Sequence, residues 1–240
     1  MKKVISFTKW IFVVSVFFAF ASCQKDLRPD SPVIEKDINL TDFSRVYALD
    51  KFKVTIVKGN SFSVKAKGQA NDVNDIEFKI VTPDILNIQY LNHKNNRATV
   101  TITITMPDLL SVVLSGAANG TVSGFQGANH VIRTTLSGAS KCTVDGTGIN
   151  AQVEASGASE LTISGATANL YGSISGASKL SAYNLVADEV DIDVSGASHA
   201  WVKVQNSLFA TASGASKIYY KGNPGQKVID ATGGSQVIKE

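Results

Sequence analysis

The chain has 240 residues, a formal charge of +3 and two cysteines, Cys23 and Cys142. Lys2, Lys3 and Lys9 account for that excess, so the remainder is close to neutral, which argues against nucleic acid as a partner. In chain order, the first feature is this positive start, followed by Trp10 to Ala21, apolar except for Ser15. That run is short for a membrane span and has the length and flanks of a secretory signal.

The run ends Phe20-Ala21-Ser22-Cys23. A small-small-Cys ending resembles a bacterial lipobox, with Phe20 standing where Leu is usual. On that reading residues 1–22 are a cleaved lipoprotein signal. Cys23 becomes the lipidated first residue, and its lipid makes the membrane a partner. The plain alternative is an ordinary signal that leaves Cys23 a free thiol. Gln24-Lys25-Asp26 resembles the short acidic export signal of Bacteroidetes lipoproteins. This reading places the chain in the cell envelope, as an outer-membrane lipoprotein facing either the cell surface or the periplasm. With Cys23 lipidated, Cys142 has no disulfide partner. It reads as a buried, inert thiol, because no base motif accompanies it.

Residues 23–42 are polar, carry Pro29 and Pro32, and read as a tether. Residues 43–110 form a β-rich N-terminal part. Val54–Val57 and Ser61–Ala66, around Lys58-Gly59-Asn60, predict a hairpin. Ile76–Val81 and Ile85–Leu91, around Pro83-Asp84, predict a second one. Thr99 to Thr105 alternates Thr with Val and Ile, and Met106-Pro107 ends it. This part is expected to cover the open first coil of the repeat region beyond it.

Residues 111–240 are organised by one phrase, Ser-Gly-Ala-Ser. It begins in full at Ser137, Ser156, Ser175, Ser195 and Ser213, with frayed copies at Ser115 and Thr232. The steps between copies are 22, 19, 19, 20, 18 and 19 residues, the signature of stacked structural repeats. Apolar residues recur at every second position on both sides of the phrase. Before it stand Leu114, Leu136, Ala155, Ile174, Val194, Ala212 and Ala231. Four residues after it stand Val144, Ile163, Ala182, Val202 and Tyr220, with Ile238 assigned to the same column in the last copy. Period-two stripes around a corner mean two half-buried strands, and stacked copies can bury them as ladders. The fold class is therefore all-β, a parallel β-helix of about 19-residue coils with a hairpin-rich N-terminal part. Gly138, Gly157, Gly176, Gly196 and Gly214 are the structural corners, where glycine adopts a backbone barred to other residues. The alanine is expected inside the bend, and the serines are expected to bond up the stack. Each buried Val, Leu or Ile contributes roughly 1.5–3 kcal/mol. Lys239 and Glu240 place charge on the last strand, which protects that edge.

Two sets of residues are candidate sites. Trp201 and Tyr219 share an outward column that holds Thr143, Thr162 and Ser181 in earlier coils. Two stacked exposed aromatics can seat a sugar ring or a peptide. The plain alternative is that they shield each other or pack under Gly222–Gly225. Glu189, Asp191 and Asp193 alternate on one outward strand face, as a Ca²⁺ site would require. A solvated strand face is the favoured reading, because the Gly-Gly-x-Gly-x-Asp repeat of Ca²⁺-binding solenoids is missing. Paired acids also serve glycoside cleavage. The columns beside Asp191 and Asp193 hold Tyr171, Ser173, Phe209 and Thr211, with no neighbouring acid or base. His93, His130 and His199 are scattered, so no catalytic residue, metal or cofactor is assigned.

The repeated Ser-Gly-Ala-Ser-Lys, the Thr105-Met106-Pro107 strand end and the late Tyr220-Lys221-Gly222-Asn223-Pro224 resemble the head GIN domain. That domain is known in Bacteroidetes as an auto-transporter adhesin head, and the resemblance covers roughly residues 43–240. It implies a β-helical envelope protein and supplies no catalytic residues. The reading is a non-enzymatic envelope lipoprotein with an adhesin-like or structural role, taking a glycan or protein ligand. The alternative is a carbohydrate-active enzyme, a polysaccharide lyase or hydrolase on a β-helix.

Overall fold

The computed structural model describes residues 31–240, Asn95 excepted. The signal run, Cys23 and Gln24-Lys25-Asp26 lie outside the described residues. The first half comprises β1 (Val33–Ile38), β2 (Arg45–Ala48), β3 (Phe52–Lys58), β4 (Ser63–Gln69), the single turn α1 (Ala70–Val73), β5 (Ile76–Val81), β6 (Ile85–Tyr90), β7 (Val100–Met106), β8 (Ser111–Leu114) and β9 (Asn119–Ser123). The second half comprises β10 (Ala128–Leu136), β11 (Lys141–Asp145), β12 (Gly148–Ala155), β13 (Glu160–Ile174), β14 (Lys179–Val194), β15 (His199–Ala212), β16 (Lys217–Lys221), β17 (Gln226–Ala231) and β18 (Gln236–Lys239).

These strands wind a β-solenoid of about six turns. The flank leading into each corner runs through β2, β8, β10 and β12, then the second halves of β13, β14 and β15, to β17. The flank trailing each corner runs through β3, β9, β11 and the first halves of β13, β14 and β15, to β16 and β18. Every pairing within these two ladders is parallel, and like columns stack on like except at register shifts in β10, β13 and β14. Cys142, Leu161, Leu180, Ala200 and Ile218 form one inward column, buried throughout. One column assignment is corrected. Ile238 pairs with Tyr219, and Lys239 takes the inward position opposite Tyr220. The strand alternates every residue, so a one-place slip moves a side chain to the other face.

The corner carries the tightest contacts. Gly138, Gly157, Gly176, Gly196 and Gly214 have φ between +68° and +77°. A Cβ on Gly176 would lie 2.5 Å from the carbonyl oxygen of Gly157, one coil below. The ladder does not break at the bend. Ala158, Ala177, Ala197 and Ala215 donate their amides to the glycine carbonyl of the previous coil at 2.7–2.8 Å. The alanine does not line the inside. Its side chain is exposed at all five full copies, and the final serine is buried instead. Alanine has nothing to offer a carbonyl, whereas a buried hydroxyl bonds the backbone that the bend turns inward. Ser140 donates to Ser137 O at 2.8 Å and Ser216 to Val194 O at 2.9 Å, while Ser159 and Ser178 lie 3.3 Å apart, hydroxyl to hydroxyl.

Antiparallel pairing appears at the N-terminal edge. β5 and β6 form the hairpin around Pro83-Asp84. The other expected hairpin does not form. β7 lies between β3 and β4, parallel to the first and antiparallel to the second. Val100, Ile102, Ile104 and Met106 are each fully buried. A strand so apolar gains more in the middle of a sheet than at an edge. β1 closes this side against β4, with Lys65 between Asp37 at 3.3 Å and Glu35 at 3.5 Å. Behind it, Arg97 is clamped by Asp72 and Asp75 and lies 3.6 Å over the Tyr90 ring. At the other edge, the inward columns of Leu208 and Tyr220 end in Lys227 and Lys239. A lysine in an apolar column disfavours docking of a further strand.

Gly176→Val should cost about 2 kcal/mol or more, because it combines left-handed backbone strain with a clash against backbone. The outward Lys179→Ala should stay within about 0.5 kcal/mol. Denaturant unfolding of the two variants checks the corner assignment, and equal losses would contradict it.

Candidate functional site

An in-register parallel ladder forces side chains of one column to stack at the strand spacing, ~4.8 Å. On the outer face of the trailing flank, Thr143, Thr162 and Ser181 occupy the third position after the corner. Trp201 and Tyr219 follow them in β15 and β16, in direct register. Their rings are 5.5 Å apart and 5° from parallel. His199, two residues earlier on the same strand face, lies 5.8 Å from Trp201 at 17°. All three are half-buried. The rings therefore shield each other's faces and leave their outer edges to solvent.

Tyr183 extends this group and was not legible as a column member. The pairing of β14 with β15 shifts register between Ala182 and Val186, which takes Tyr183 out of the two-residue alternation. Its phenol donates to Glu240 Oε2 at 2.7 Å, and Lys221 Nζ lies 4.2 Å from its ring centre. Burial, then the neighbouring Glu240 carboxylate, push the phenol well above the usual tyrosine range.

The acidic strand lies on the leading flank, in the second half of β14. Glu189, Asp191 and Asp193 face outward opposite Asn169, Tyr171 and Ser173. One coil further, Glu154 pairs with Ser173 and so shares the column of Asp193. Comparison of adjacent coils alone missed it. Two ladder steps put these carboxylates about 9–10 Å apart at the backbone. The small Ser173 between them leaves a dip of about 180 Å³, below the roughly 300–1,000 Å³ of ordinary ligand pockets. Among the described residues, no group of three His, Cys, Asp or Glu side chains gathers closely enough to hold a metal ion.

With this geometry in place, the comparison with known families is decisive. Residues 42–224 match the family profile described as "Putative auto-transporter adhesin, head GIN domain". The chain belongs to the head GIN domain family. No curated protein matches the sequence. Among solved structures, a putative adhesin of Bacteroides fragilis is 20% identical with a TM-score of 0.81, over 88% of this chain and 99% of that one. A putative adhesin of Parabacteroides distasonis is 18% identical with a TM-score of 0.64, over 88% and 98%. A putative lipid binding protein of the same organism is 15% identical with a TM-score of 0.67, over 87% and 96%. At these identities the likeness is one of fold.

Within the head GIN domain, Cys142 is buried in the column of Leu161, and burial pushes its thiol up to about 12. The neutral form is favoured in the fold. Its contribution is intact below the ordinary value of 9.0 and is lost as pH rises toward about 12. In a Cys23→Ala chain, Cys142 should resist an aromatic disulfide reagent at pH 8 and titrate as one thiol only on unfolding. Rapid labelling of the folded chain would contradict the inward placement.

Proposed function

We propose that this head GIN domain is the binding head of a non-enzymatic envelope lipoprotein, tethered through Cys23 and displayed at the outer membrane. The observation that carries the reading is the replacement of the hydroxyl column by Trp201 and Tyr219. Thr143, Thr162 and Ser181 satisfy the same ladder without an aromatic ring. Two adjacent aromatics on an otherwise polar outward face form a surface that can seat a sugar or a peptide. The family description, the envelope-type signal run and the adhesin names of the structural relatives support the same class. The acids on the leading flank favour a catalytic reading less, since the dip that Glu154, Asp191 and Asp193 line holds only about 180 Å³.

Two experiments test the two halves of this reading. Cys23→Ala should move the protein from the membrane to the soluble fraction, and protease treatment of intact cells should digest the wild-type chain. Unchanged membrane association would refute the tether, and digestion only after lysis would refute display. Trp201→Thr with Tyr219→Thr restores the residue type of Thr143 and Thr162, so the fold should survive with a loss of roughly 0.5–1.5 kcal/mol from the missing stack. Retention on an array of immobilised glycans and peptides should disappear. Full retention by this double variant would remove the aromatic platform from the account.

A further inference from the structure

The geometry points to an anionic polysaccharide as the ligand class of this face. The inference rests on the aromatic platform proposed above and names what it takes. The strand alternation sets the pattern. On β15, His199, Trp201 and Lys203 face outward; on β16, Lys217, Tyr219 and Lys221 do the same. Each strand therefore reads cation or imidazole, aromatic, cation. Register places Lys217 beside His199 and Lys221 beside Lys203. Two rows of basic side chains flank the stacked rings, and Lys179 extends one row into β14.

Three observations separate this from an ordinary solvated face. First, among the described residues Lys203 and Lys217 have no carboxylate partner. By contrast, Lys141, in the same column as Lys217 but in an earlier coil, is held by Glu160 at 2.8 Å. The nearest acids lie at the margins: Glu160 beside Lys179, and Glu240, which accepts from Tyr183 and sits 4.0 Å from Lys221. Like charges stacked at the strand spacing repel and destabilise a sheet unless something pairs with them. Second, in the coil of β14 the outward charge differs between the flanks, Lys179 on the trailing one and acids on the leading one. Glu154, Asp191 and Asp193 face outward on the leading flank, so an anionic chain is repelled there and drawn to the trailing face. Third, over the coils of β15 and β16 the basic groups repeat once per coil, His199 and Lys217 in one row and Lys203 and Lys221 in the other. A polymer bearing one carboxylate or sulfate on each unit presents the matching row, and a sugar ring's apolar face can lie against the aromatic edges. A lipid surface fits less well, because Trp201 and Tyr219 stack on each other and do not project as membrane anchors.

The test uses the full chain with Cys23→Ala, so that no acyl group drives association. Its migration is followed through gels containing polygalacturonate or the same polymer fully methyl-esterified, which removes charge and keeps the sugar. The expected result is strong retardation by the acidic polymer, weakened by salt, and little by the ester. Lys203→Gln with Lys217→Gln should lower affinity about three- to tenfold with an unchanged melting curve, while Lys141→Gln should change it less than twofold. Equal retardation by both polymers would overturn the anionic class and leave the aromatic platform standing. No retardation by polygalacturonate, chondroitin sulfate or alginate, with retention on uncharged glycans or peptides of the array intact, would overturn the inference in the same way. Loss of binding on every surface would overturn both readings. Flotation with phosphatidylglycerol vesicles, without polysaccharide binding, would also overturn it and assign the face to lipid.

Discussion

The structure depends on one close approach: the backbone of each corner glycine lies directly on the backbone of the glycine one coil below. No side chain can intervene, since an added Cβ would meet the lower carbonyl at 2.5–2.8 Å for the five full copies. The corner therefore stacks at the spacing of a hydrogen-bonded ladder. Amide-to-carbonyl bonds cross it at 2.7–2.8 Å, so both flanks are held in one register. Once register is common to the two flanks, the outward and inward columns next to the corner are determined. The apolar columns become the core, and the polar ones become the surface available for binding.

That common register explains what could be read from the residues. The repeat period, the two-residue stripes and the corner glycine together specify a parallel solenoid, and the columns around Leu161, Leu180 and Ile218 fall where the pattern puts them. The misreadings have local causes. The inside of the bend was given to alanine because it is small, yet the bend turns backbone carbonyls inward and a serine hydroxyl meets them. β3 and β4 look like a hairpin because a turn phrase separates them. Sequence spacing cannot show that β7, whose Val100, Ile102, Ile104 and Met106 make one fully buried face, gains by entering between them. Ile238 was placed one residue from its true column, and Lys239 stands where an apolar residue was expected.

The candidate site was partly legible for the same reason. Trp201 and Tyr219 occupy one column of the repeat, so their stacking follows from the alignment. Tyr183 and Glu154 were not legible. The first leaves its column at a register shift, and the second joins the acidic dip from two coils away. The solenoid thus sorts side chains by position on a lattice. It can present a repeating row of one chemical type without any pocket, which suits recognition of an extended ligand better than chemistry at one bond. The structural relatives share this fold at 15–20% identity.

The central claim is that the hydrogen-bonded glycine ladder at the exposed corner sets the register of both flanks. Amide hydrogen exchange of Ala158, Ala177, Ala197 and Ala215 tests it directly. Surface turns ordinarily exchange through local opening, with protection far below the global stability. This account predicts that the four amides exchange slowly, at one common free energy equal to that of global unfolding, although their side chains face solvent. Fast exchange at the corners, with protection confined to the flanking strands, would show that the glycine ladder follows the sheets and does not set their register.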